Sequence, residues 1–415
     1  MIRVIYSVVF YLVLPLILFR VFWRAQKEPR YKEDLSQRLG FIPKIESGAI
    51  WVHSVSAGET IAATNLVKRL LASGERVVIS NMTPTGRERA EALFGADSRV
   101  SIVYAPYDLF YGVKRFFARL QPKALLVVDT ELWPNMIAIA KTLSVPVFVV
   151  NGRLSEKSAN GYSKISWLSE PMFKALDCVF AQSDAQSRRF TELGSQTVRT
   201  SGSIKFDAVL PADFNDRRDE LGGFFESRIV LLAASTHEGE ESVFVDAFLQ
   251  FARSEHVLVI APRHTHRVSQ VETLLRRKDL SYQLHSKGES LDSDTQVYLV
   301  DTMGELMYFY GVCQSAFVGG SLVNVGGHNP MEPAQLGKPI MMGPYRRNIV
   351  DIAELFSEAG ALREVSDARS VLRFWQETQV ASYRETMSNS SLKVMESNRG
   401  ALDRILDEVS SRLRA

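Results

Sequence analysis

Short runs of β-branched and aromatic residues alternate through most of this chain with longer stretches whose apolar residues recur at helical spacing. Such alternation predicts parallel strands joined by crossover helices that cover both faces of a sheet. In the first half, strands are predicted at residues 50–53, 76–80, 100–104, 124–128, 145–150 and 178–181. Helices are predicted between them at residues 60–71, 84–94, 109–120, 134–143 and 162–176. The predicted fold class is α/β with a doubly wound parallel sheet.

The alternation restarts near residue 229, after a segment rich in turn residues. The chain has 415 residues, which exceeds what a single core usually serves, so two domains are expected. We predict a Rossmann-like domain over residues 25–207, a linker over 208–223 and a second Rossmann-like domain over 224–415 that faces the first. The last helix could pack back on the first domain. Strands of the second domain are predicted at 229–234, 257–261, 296–300, 315–318 and 339–342.

Composition excludes disorder and gives no sign of a nucleic-acid partner. Hydrophobic residues make up 46% of the chain, charged residues 23%, and the formal net charge is +2. The only two cysteines, Cys178 and Cys313, lie in or beside apolar runs far apart in the sequence. This pattern indicates buried thiols in a reducing compartment rather than a disulfide scaffold.

The N-terminal stretch departs from a soluble profile. Residues 4–21 are almost wholly apolar and would form a helix roughly 27 Å long, which is close to the thickness of a bilayer core. No small-residue cleavage site follows, as a signal peptide would need. Four basic residues follow instead: Arg20, Arg24, Lys27 and Arg30. We predict that residues 1–24 are an uncleaved membrane anchor, with the bulk of the protein on the cytoplasmic side.

A glycine-rich segment over residues 318–343 reads as strand, loop, helix and strand. Its two glycine pairs, 319–320 and 326–327, would let the backbone pass close to a ligand and direct N–H groups at an anion. Glu332 falls in the first turn of the helix, where a carboxylate can accept hydrogen bonds from ribose hydroxyls. The segment predicts a nucleotide-sugar pocket. The alternative is a tight turn that needs glycine for its geometry.

Acidic residues follow two predicted strands, and ligands of doubly wound sheets bind outside the carboxyl ends of strands. Glu59 ends the segment 54–59, where small residues let the chain turn from strand to helix. Asp129 and Glu131 follow the fourth strand. A second carboxylate across the crevice from Glu59 could orient a sugar acceptor or tune a base. The alternatives are helix capping by Ser56 with an early glutamate, and solvated loop charges.

Basic residues follow other strands. Arg153 suits a phosphate or carboxylate, and Lys205 lies at the predicted domain junction. Arg263 and Arg267 open a helix after a buried strand, and residues 301–305 repeat that arrangement. Both segments could bind a nucleotide. The alternative for Arg153 is a surface ion pair, and the alternative for Lys205 is a solvated side chain.

Two histidines, His264 and His266, lie in the same segment as Arg263. No cysteine or carboxylate stands at a spacing that would complete a metal site with them, so no metal is expected.

Seven segments taken together resemble the 3-deoxy-D-manno-octulosonic acid (Kdo) transferase family of lipopolysaccharide assembly. The resemblance runs in the family's order from the N-terminal anchor to Pro344. Small departures, such as Ser54 and Ala57 in the first segment and Gly152 in the third, leave Glu59 and Arg153 in place. The seven segments are residues 54–59, 130–135, 151–155, 202–207, 262–264, 303–305 and 326–333.

The resemblance implies a two-domain glycosyltransferase of the GT-B type. The donor would be CMP-Kdo, the acceptor a lipid A precursor at the cytoplasmic leaflet, and the displacement direct, inverting and free of metal. By motif, Glu59 would be the general base, and Glu131 and Lys205 would stabilise the transition state. The implied contacts to CMP are Pro262, Arg263, Met303, Gly304, Glu305, Asn329, Pro330, Met331 and Glu332.

Two other functions fit the same pattern of strands and motifs. A nucleotide-sugar epimerase shares the fold and a similar pocket, but it would not need the anchor. A membrane-anchored nucleotide-sensing module would bind the ligand without catalysis. Its weakness is the carboxylates, which face an anionic ligand unfavourably unless they act on something.

Overall fold

The computed structural model describes residues 2–26, 28–225, 228–288 and 291–414. The chain divides into two compact units. Unit 1 comprises Met1–Val209 and Asn398–Ala415, and unit 2 comprises Leu210–Ser397. Lys27, one of the basic residues predicted to flank the anchor, lies outside the described residues.

Unit 1 contains a parallel sheet of seven described strands in the order β3-β2-β1-β4-β5-β6-β7. Its first six strands match the predicted ones to within two residues at each end, whereas the short and partly exposed β7 was not predicted. The strands are β1 Ile50–His53, β2 Val77–Asn81, β3 Val100–Tyr104, β4 Ala124–Val128, β5 Val147–Gly152, β6 Cys178–Ala181 and β7 Val198–Thr200.

Two of the helices predicted in unit 1 are each divided in two. The single helix predicted at 60–71 is two helices that meet at Ala63, and the one predicted at 162–176 is two that meet at Ile165. The helices before residue 209 are α1 Ile2–Ala25, α2 Leu35–Arg38, α3 Ala57–Ala62, α4 Thr64–Ala72, α5 Pro84–Phe94, α6 Phe110–Leu120, α7 Pro134–Thr142, α8 Glu156–Lys164, α9 Ser166–Lys174 and α10 Asp184–Glu192.

Alternate residues of each strand in unit 1 supply two separate cores. Trp51 and Leu125 pack on one face of the sheet with residues of α6, α7, α9 and α10. Val52 and Leu126 pack on the other face with residues of α3, α4 and α5. Because successive side chains of a strand point to opposite faces, a wholly apolar strand is what a sheet covered on both sides requires. Cys178 is free and buried, as predicted.

Unit 2 repeats the architecture, with the parallel order β10-β11-β9-β8-β12-β13-β14. Its two edge strands, β10 and β14, were not predicted, because each has three residues and is only partly buried. The other cysteine, Cys313, is free and buried here. The strands are β8 Ile229–Thr236, β9 His256–Pro262, β10 Tyr282–Leu284, β11 Val297–Leu299, β12 Ser315–Val318, β13 Ile340–Met342 and β14 Leu362–Glu364.

The linker predicted over 208–223 is wrong from Phe214 onwards. Helix α11 begins there, and Leu221 and Phe225 pack into the core of unit 2 beneath β8 and β9. Asn215, Asp216 and Asp219, which suggested a loop, are exposed on this helix. The helices of unit 2 are α11 Phe214–Phe225, α12 Glu240–Phe251, α13 Val268–Arg277, α14 Leu306–Val312, α15 Met331–Gln335, α16 Val350–Glu358, α17 Ala368–Gln379 and α18 Ala381–Asn398.

The last helix, α19 Ala401–Arg414, belongs to unit 1. Leu402, Ile405 and Val409 lie on one face of it and complete the core on the α3–α5 side of the sheet. Asp207 accepts hydrogen bonds from the backbone N–H groups of Gly400 (2.6 Å) and Leu402 (2.7 Å), which fixes where the helix begins.

The N-terminal helix α1 has two different faces. Phe10, Leu14 and Val21 pack against Tyr107 and Leu109 of unit 1. The opposite face is exposed and apolar, with Leu12 at 75%, Leu16 at 67% and Phe19 at 69% exposure. Among the described residues, α1 is the helix that is long and apolar enough to cross a membrane.

Candidate active site

Unit 1 has a switch point between β1 and β4, because the chain leaves β1 toward β2 and leaves β4 toward β5. Ligands of such sheets bind at the carboxyl ends of the two strands that flank this point. Glu59 follows β1, and Asp129 and Glu131 follow β4. The structure brings all three together, since Asp129 and Glu131 both act electrostatically on Glu59.

Glu59 is held in place as part of the start of α3. Ser56 is the N-cap of this helix and accepts the Glu59 N–H. The Glu59 carboxylate in turn accepts from the Val55 N–H (2.6 Å) and the Ser56 hydroxyl (2.8 Å). The capping that the sequence offered as an alternative is therefore present.

Capping does not leave Glu59 an ordinary glutamate. Burial raises its pKa to about 7, and repulsion from Asp129 and Glu131 adds to the rise, while the bonds from Ser56 and Val55 oppose it. A carboxyl group with this pKa exchanges protons near neutral pH, which is what a general base needs.

Asp129 and Asn151 are hydrogen-bonded to each other in this cluster. Both have positive φ angles, +58° and +60°, which non-glycine residues rarely adopt. The Asn151 amide donates to Asp129 Oδ1 (2.6 Å), and its oxygen accepts from the Ser203 hydroxyl (3.1 Å) and the Ile204 N–H (3.2 Å). Asn151 thereby fixes the 3₁₀ turn Ile204–Asp207, which carries Lys205.

Lys205 and Arg153 provide the positive charge of this cluster. Burial raises the pKa of Asp129, while the Asn151 hydrogen bond and the charges of Lys205 and Arg153 oppose that rise. The lysine predicted from the sequence is therefore close to the acidic residues.

Glu131 is oriented by Trp133, which donates a hydrogen bond to it. Burial raises the pKa of Glu131, and Asp129 adds to the rise. The Trp133 ring meets the edge of His53, with ring centroids 4.7 Å apart. His53 is fully buried, and its Nδ1 lies 2.8 Å from the Ser80 hydroxyl. The contact of Trp133 with the buried His53 thus restricts the conformation of residues 131–133.

Unit 2 has its switch point between β8 and β12. The glycine-rich loop leaves β12 here, with Gly320, Gly326 and Gly327 at φ angles of +67°, +117° and +78°. A Cβ on Gly319 would lie 2.1 Å from the Ser235 carbonyl oxygen. The alternative of a turn that requires glycine for its geometry is therefore correct for this part of the loop.

The N–H groups at the start of that loop do not await a ligand. The carboxylate of Glu240, the first residue of α12, is fully buried and accepts from the N–H groups of Gly320 (2.9 Å), Ser321 (3.0 Å), Leu322 (2.9 Å) and His237 (2.9 Å). The expectation that these N–H groups face an anionic ligand is wrong. A carboxylate of the protein itself takes that position.

Three histidines gather at the same edge. His237 Nε2 and His328 Nε2 are 2.9 Å apart, and the His264 ring lies 5.8 Å from the His237 ring. Burial lowers the pKa of all three, that of His328 to about 4. One neutral ring therefore donates to the other. Among the described residues, no group of three or more His, Cys, Asp or Glu side chains is arranged to hold a metal ion.

Arg263 and Glu332 also lie near each other. Glu332 is exposed at the surface, but the surrounding protein atoms remove part of its hydration and thereby raise its pKa. The charge of Arg263 opposes that rise. Arg263 is exposed, and its charge also contributes to lowering the pKa of His328. These two predicted residues are therefore close enough at the switch point of unit 2 to interact electrostatically.

Other predicted ligand residues have internal partners. Glu305 accepts from Arg217 (2.6 Å) and Thr302 (2.5 Å) and lies 3.0 Å from His285 Nε2. Arg267 forms a buried ion pair with Glu241 (2.6 Å), so its predicted contact with a nucleotide is wrong. Asn329 Oδ1 accepts the Met331 N–H (3.1 Å).

The remaining predicted CMP contacts fall into two groups. Pro262, Pro330 and Met331 are buried, and Met303 and Gly304 are exposed. Helix α15, expected to direct its N-terminus at the phosphate, has five residues and therefore a small dipole. The roles of these residues in binding stay predictions.

Comparison with known proteins decides the family. A family model described as 3-Deoxy-D-manno-octulosonic-acid transferase (kdotransferase) matches residues 33–208. A 3-deoxy-D-manno-octulosonic acid transferase of Haemophilus influenzae is 36% identical over 405 residues, which cover 95% of this chain and 94% of that protein. The enzyme of that name from Bordetella pertussis is 34% identical, with 86% of each chain covered. The chain belongs to the 3-deoxy-D-manno-octulosonic acid transferase family.

Membership makes this Kdo transferase a glycosyltransferase, and a role in lipopolysaccharide assembly follows from the family. The UDP-GlcNAc 2-epimerase from Neisseria meningitidis bound to UDP-GlcNAc has a TM-score of 0.61 over 88% of this chain and 100% of its own, at 15% identity. At that identity the likeness shows the fold alone. It confirms the GT-B-like fold of two parallel-sheet α/β domains.

Sequence reasoning missed Asn151 and Glu240 as residues that build the two sites. Asn151 stood beside Arg153, and its signal was a short polar side chain directly after an apolar strand, where positive φ angles are common for Asn. Glu240 lies far in the chain from the loop it binds, and nothing in its own segment identifies its partners.

We expect Glu240→Ala to destabilise the Kdo transferase by at least about 2 kcal/mol, because it leaves several buried N–H groups without an acceptor. The free energy of unfolding in urea measures this. Glu238→Ala is the control, since Glu238 is two residues away and exposed. Equal stability of the two variants would show that water or another group replaces the carboxylate.

Proposed function

We propose that this enzyme transfers Kdo from CMP-Kdo to a hydroxyl of a lipid A precursor by direct displacement without a metal, with inversion at the anomeric carbon and Glu59 as the general base. The observation that carries the proposal is Glu59 itself. It lies at the switch point of unit 1, in a chain of the Kdo transferase family, and its pKa is about 7.

The proposed step forms one bond and breaks one. The acceptor oxygen attacks the anomeric carbon, the bond from that carbon to the phosphate oxygen of CMP breaks, and the acceptor proton moves to Glu59. A sugar hydroxyl is a weak nucleophile near neutral pH, and a placed base contributes roughly 10²–10⁴ in rate. CMP leaves with the electron pair, so negative charge on its phosphate grows in the transition state.

Glu131 and Lys205 have complementary roles in this proposal. Trp133 holds the Glu131 carboxylate, which can orient the acceptor or stabilise positive charge that develops at the anomeric carbon. The Asn151 network holds the turn that carries Lys205, whose ammonium group can meet negative charge on the donor. Fixed charges stabilise a transition state without the cost of reorganising water.

Unit 2 is the proposed donor domain. Arg263 supplies positive charge for the phosphate, and Glu332 can accept from the ribose hydroxyls. The peptide groups around Gly304 and Asn329 are the proposed partners of the nucleotide. Because Glu240 takes the N–H groups of residues 320–322, the phosphate has to be met by side chains rather than by that loop.

The exposed face of α1 is the proposed membrane attachment. The other face of α1 packs along unit 1, so the helix would have to leave the domain in order to cross a bilayer. We therefore expect α1 to lie in one leaflet. Arg20 and Arg24 would meet anionic headgroups at its end. A lipid acceptor supports attachment to the cytoplasmic face of the inner membrane.

The transfer itself is tested with purified full-length protein, CMP-Kdo and a lipid A precursor, with products read by mass. We expect the Glu59→Gln variant to lose orders of magnitude in single-turnover rate while both substrates still bind, since the lost interaction belongs to the transition state. Glu156→Gln, which changes an exposed glutamate in the first turn of α8, is the matched control. A Glu59→Gln rate within about tenfold of wild type would remove Glu59 from the mechanism.

The raised pKa of Glu59 predicts how the rate depends on pH. Only the ionised carboxylate can take a proton, so the single-turnover rate should rise with pH to a plateau, with a midpoint near the pKa of about 7. Below that midpoint the rate should fall about tenfold per pH unit. The Glu59→Gln variant should lack this limb. A wild-type rate that is flat from pH 5 to about 8 would mean that another group is the base.

The donor pocket is tested by calorimetry with CMP. Glu332→Ala and Arg263→Ala each remove a charged hydrogen-bonding group, and such bonds contribute about 1.5–3 kcal/mol, so affinity should fall about tenfold or more. Arg277→Ala is the control, because Arg277 is exposed at the far end of α13. Unchanged affinity in both test variants would place CMP elsewhere.

Membrane attachment is tested with vesicles that contain anionic lipid. The double variant Leu12→Glu/Leu16→Glu changes only the exposed face of α1, so it should pellet poorly with vesicles and keep its unfolding midpoint. Leu249→Glu, at an exposed leucine of α12, should pellet like wild type. If the double variant pellets as well as wild type, another surface attaches the protein.

A further inference from the structure

Helix α1 carries polar side chains on the face that meets unit 1. Ser7 donates from its hydroxyl to Asn135 Oδ1 at 3.1 Å. Tyr6 donates to Asp108. Asn135 is fully buried, and Asp108 is 3% exposed. An apolar helix that needed only to attach a domain to lipid would have no use for hydrogen bonds into the interior of that domain.

Asp108 and Asn135 hold the beginning of α7. The Asp108 carboxylate accepts from the N–H groups of Asn135 (2.9 Å) and Met136 (2.8 Å), which are otherwise unpaired at a helix start. The Asn135 amide donates to the Asp108 carbonyl oxygen (2.7 Å). Tyr6 and Ser7 therefore each bond to one of the two residues that fix this helix end.

The start of α7 follows directly from the Glu131 loop. Trp133 is the residue before α7 and bonds to Glu131, and Thr130 bonds to the Arg153 carbonyl oxygen at the other end of the loop (2.5 Å). Only three residues, 131–133, lie between Thr130 and the first residue of α7. A shift of α7 at its first turn is therefore passed to the Glu131 carboxylate through Trp133.

We infer that Tyr6 and Ser7 are positioning residues for Glu131. They act on it through Asp108, Asn135 and the first turn of α7. The inference rests on the proposed role of Glu131. It means that the helix whose outer face is proposed to meet lipid is also connected, through Asp108, Asn135 and Trp133, to the carboxylate that would meet the lipid-borne acceptor. Glu131 would then hold its productive position only while α1 is docked.

The test compares the double variant Tyr6→Phe/Ser7→Ala with Tyr11→Phe in the full-length protein. Tyr11 is on the same helix, and its hydroxyl accepts the Tyr111 N–H (3.2 Å) at the start of α6 rather than α7. For the double variant we expect hydrogen exchange over residues 130–136 to increase and kcat on the acceptor to fall about tenfold, since small misplacements of reacting groups cost that much or more. Affinity for CMP should not change. Tyr11→Phe should match wild type in all three measurements.

A conservative variant separates positioning from simple loss of packing. The single variant Ser7→Thr keeps Tyr6 and retains a hydroxyl at residue 7. It should therefore keep most of the wild-type kcat. Unchanged exchange over residues 130–136 in the double variant overturns the inference whether or not transfer is observed. Equal losses in Tyr11→Phe also overturn it, because they would show a general effect of α1 docking. Absence of transfer by the wild type would instead contradict the proposed function.

Discussion

The loops at the carboxyl ends of the strands depend on hydrogen bonds from backbone N–H groups to carboxylates. A loop that leaves a buried strand has N–H groups without partners, and each one left unpaired costs free energy. Glu59, Asp108, Asp207 and Glu240 are acceptors of this kind. They set the start of α3, the start of α7, the return of the chain into α19 and the path of the glycine-rich loop. Both switch points are built in this way.

This use of carboxylates makes the proposed role of Glu59 in the reaction compatible with its role in the fold. One oxygen accepts the Val55 N–H and the other the Ser56 hydroxyl, so the side chain has one orientation. Each carboxylate oxygen has a further lone pair for an acceptor hydroxyl. Burial and two neighbouring acids raise its pKa to about 7, so the proton of the acceptor would arrive at a group whose affinity for it suits neutral pH. A capping residue on an exposed helix would lack that second property.

The sequence was sufficient for the parts that depend on local pattern. Apolar runs predicted the central strands because a strand covered on both faces must be apolar at every position. Glu59, Glu131 and Arg263 follow such strands, and their position at the switch points could be predicted because parallel strands end at one edge. Contacts between distant segments were not predictable. Glu240 and the loop at 320–322 are far apart in sequence, and so are Asp207 and α19, and no periodicity records such pairs. Edge strands of three residues carry too little pattern.

The cluster of Glu59, Asp129 and Glu131 also bears on what kind of protein this is. Three acidic groups with raised pKa values make folding less favourable as pH rises, because the folded state binds protons that the unfolded chain would have released. A module that only sensed a nucleotide would gain nothing from that cost. The fold does not decide between a transferase and an epimerase, since the Neisseria enzyme shares it at 15% identity. Identity to the 3-deoxy-D-manno-octulosonic acid transferases does decide, and the proposed base Glu59 beside Glu131 would suit transfer to a hydroxyl.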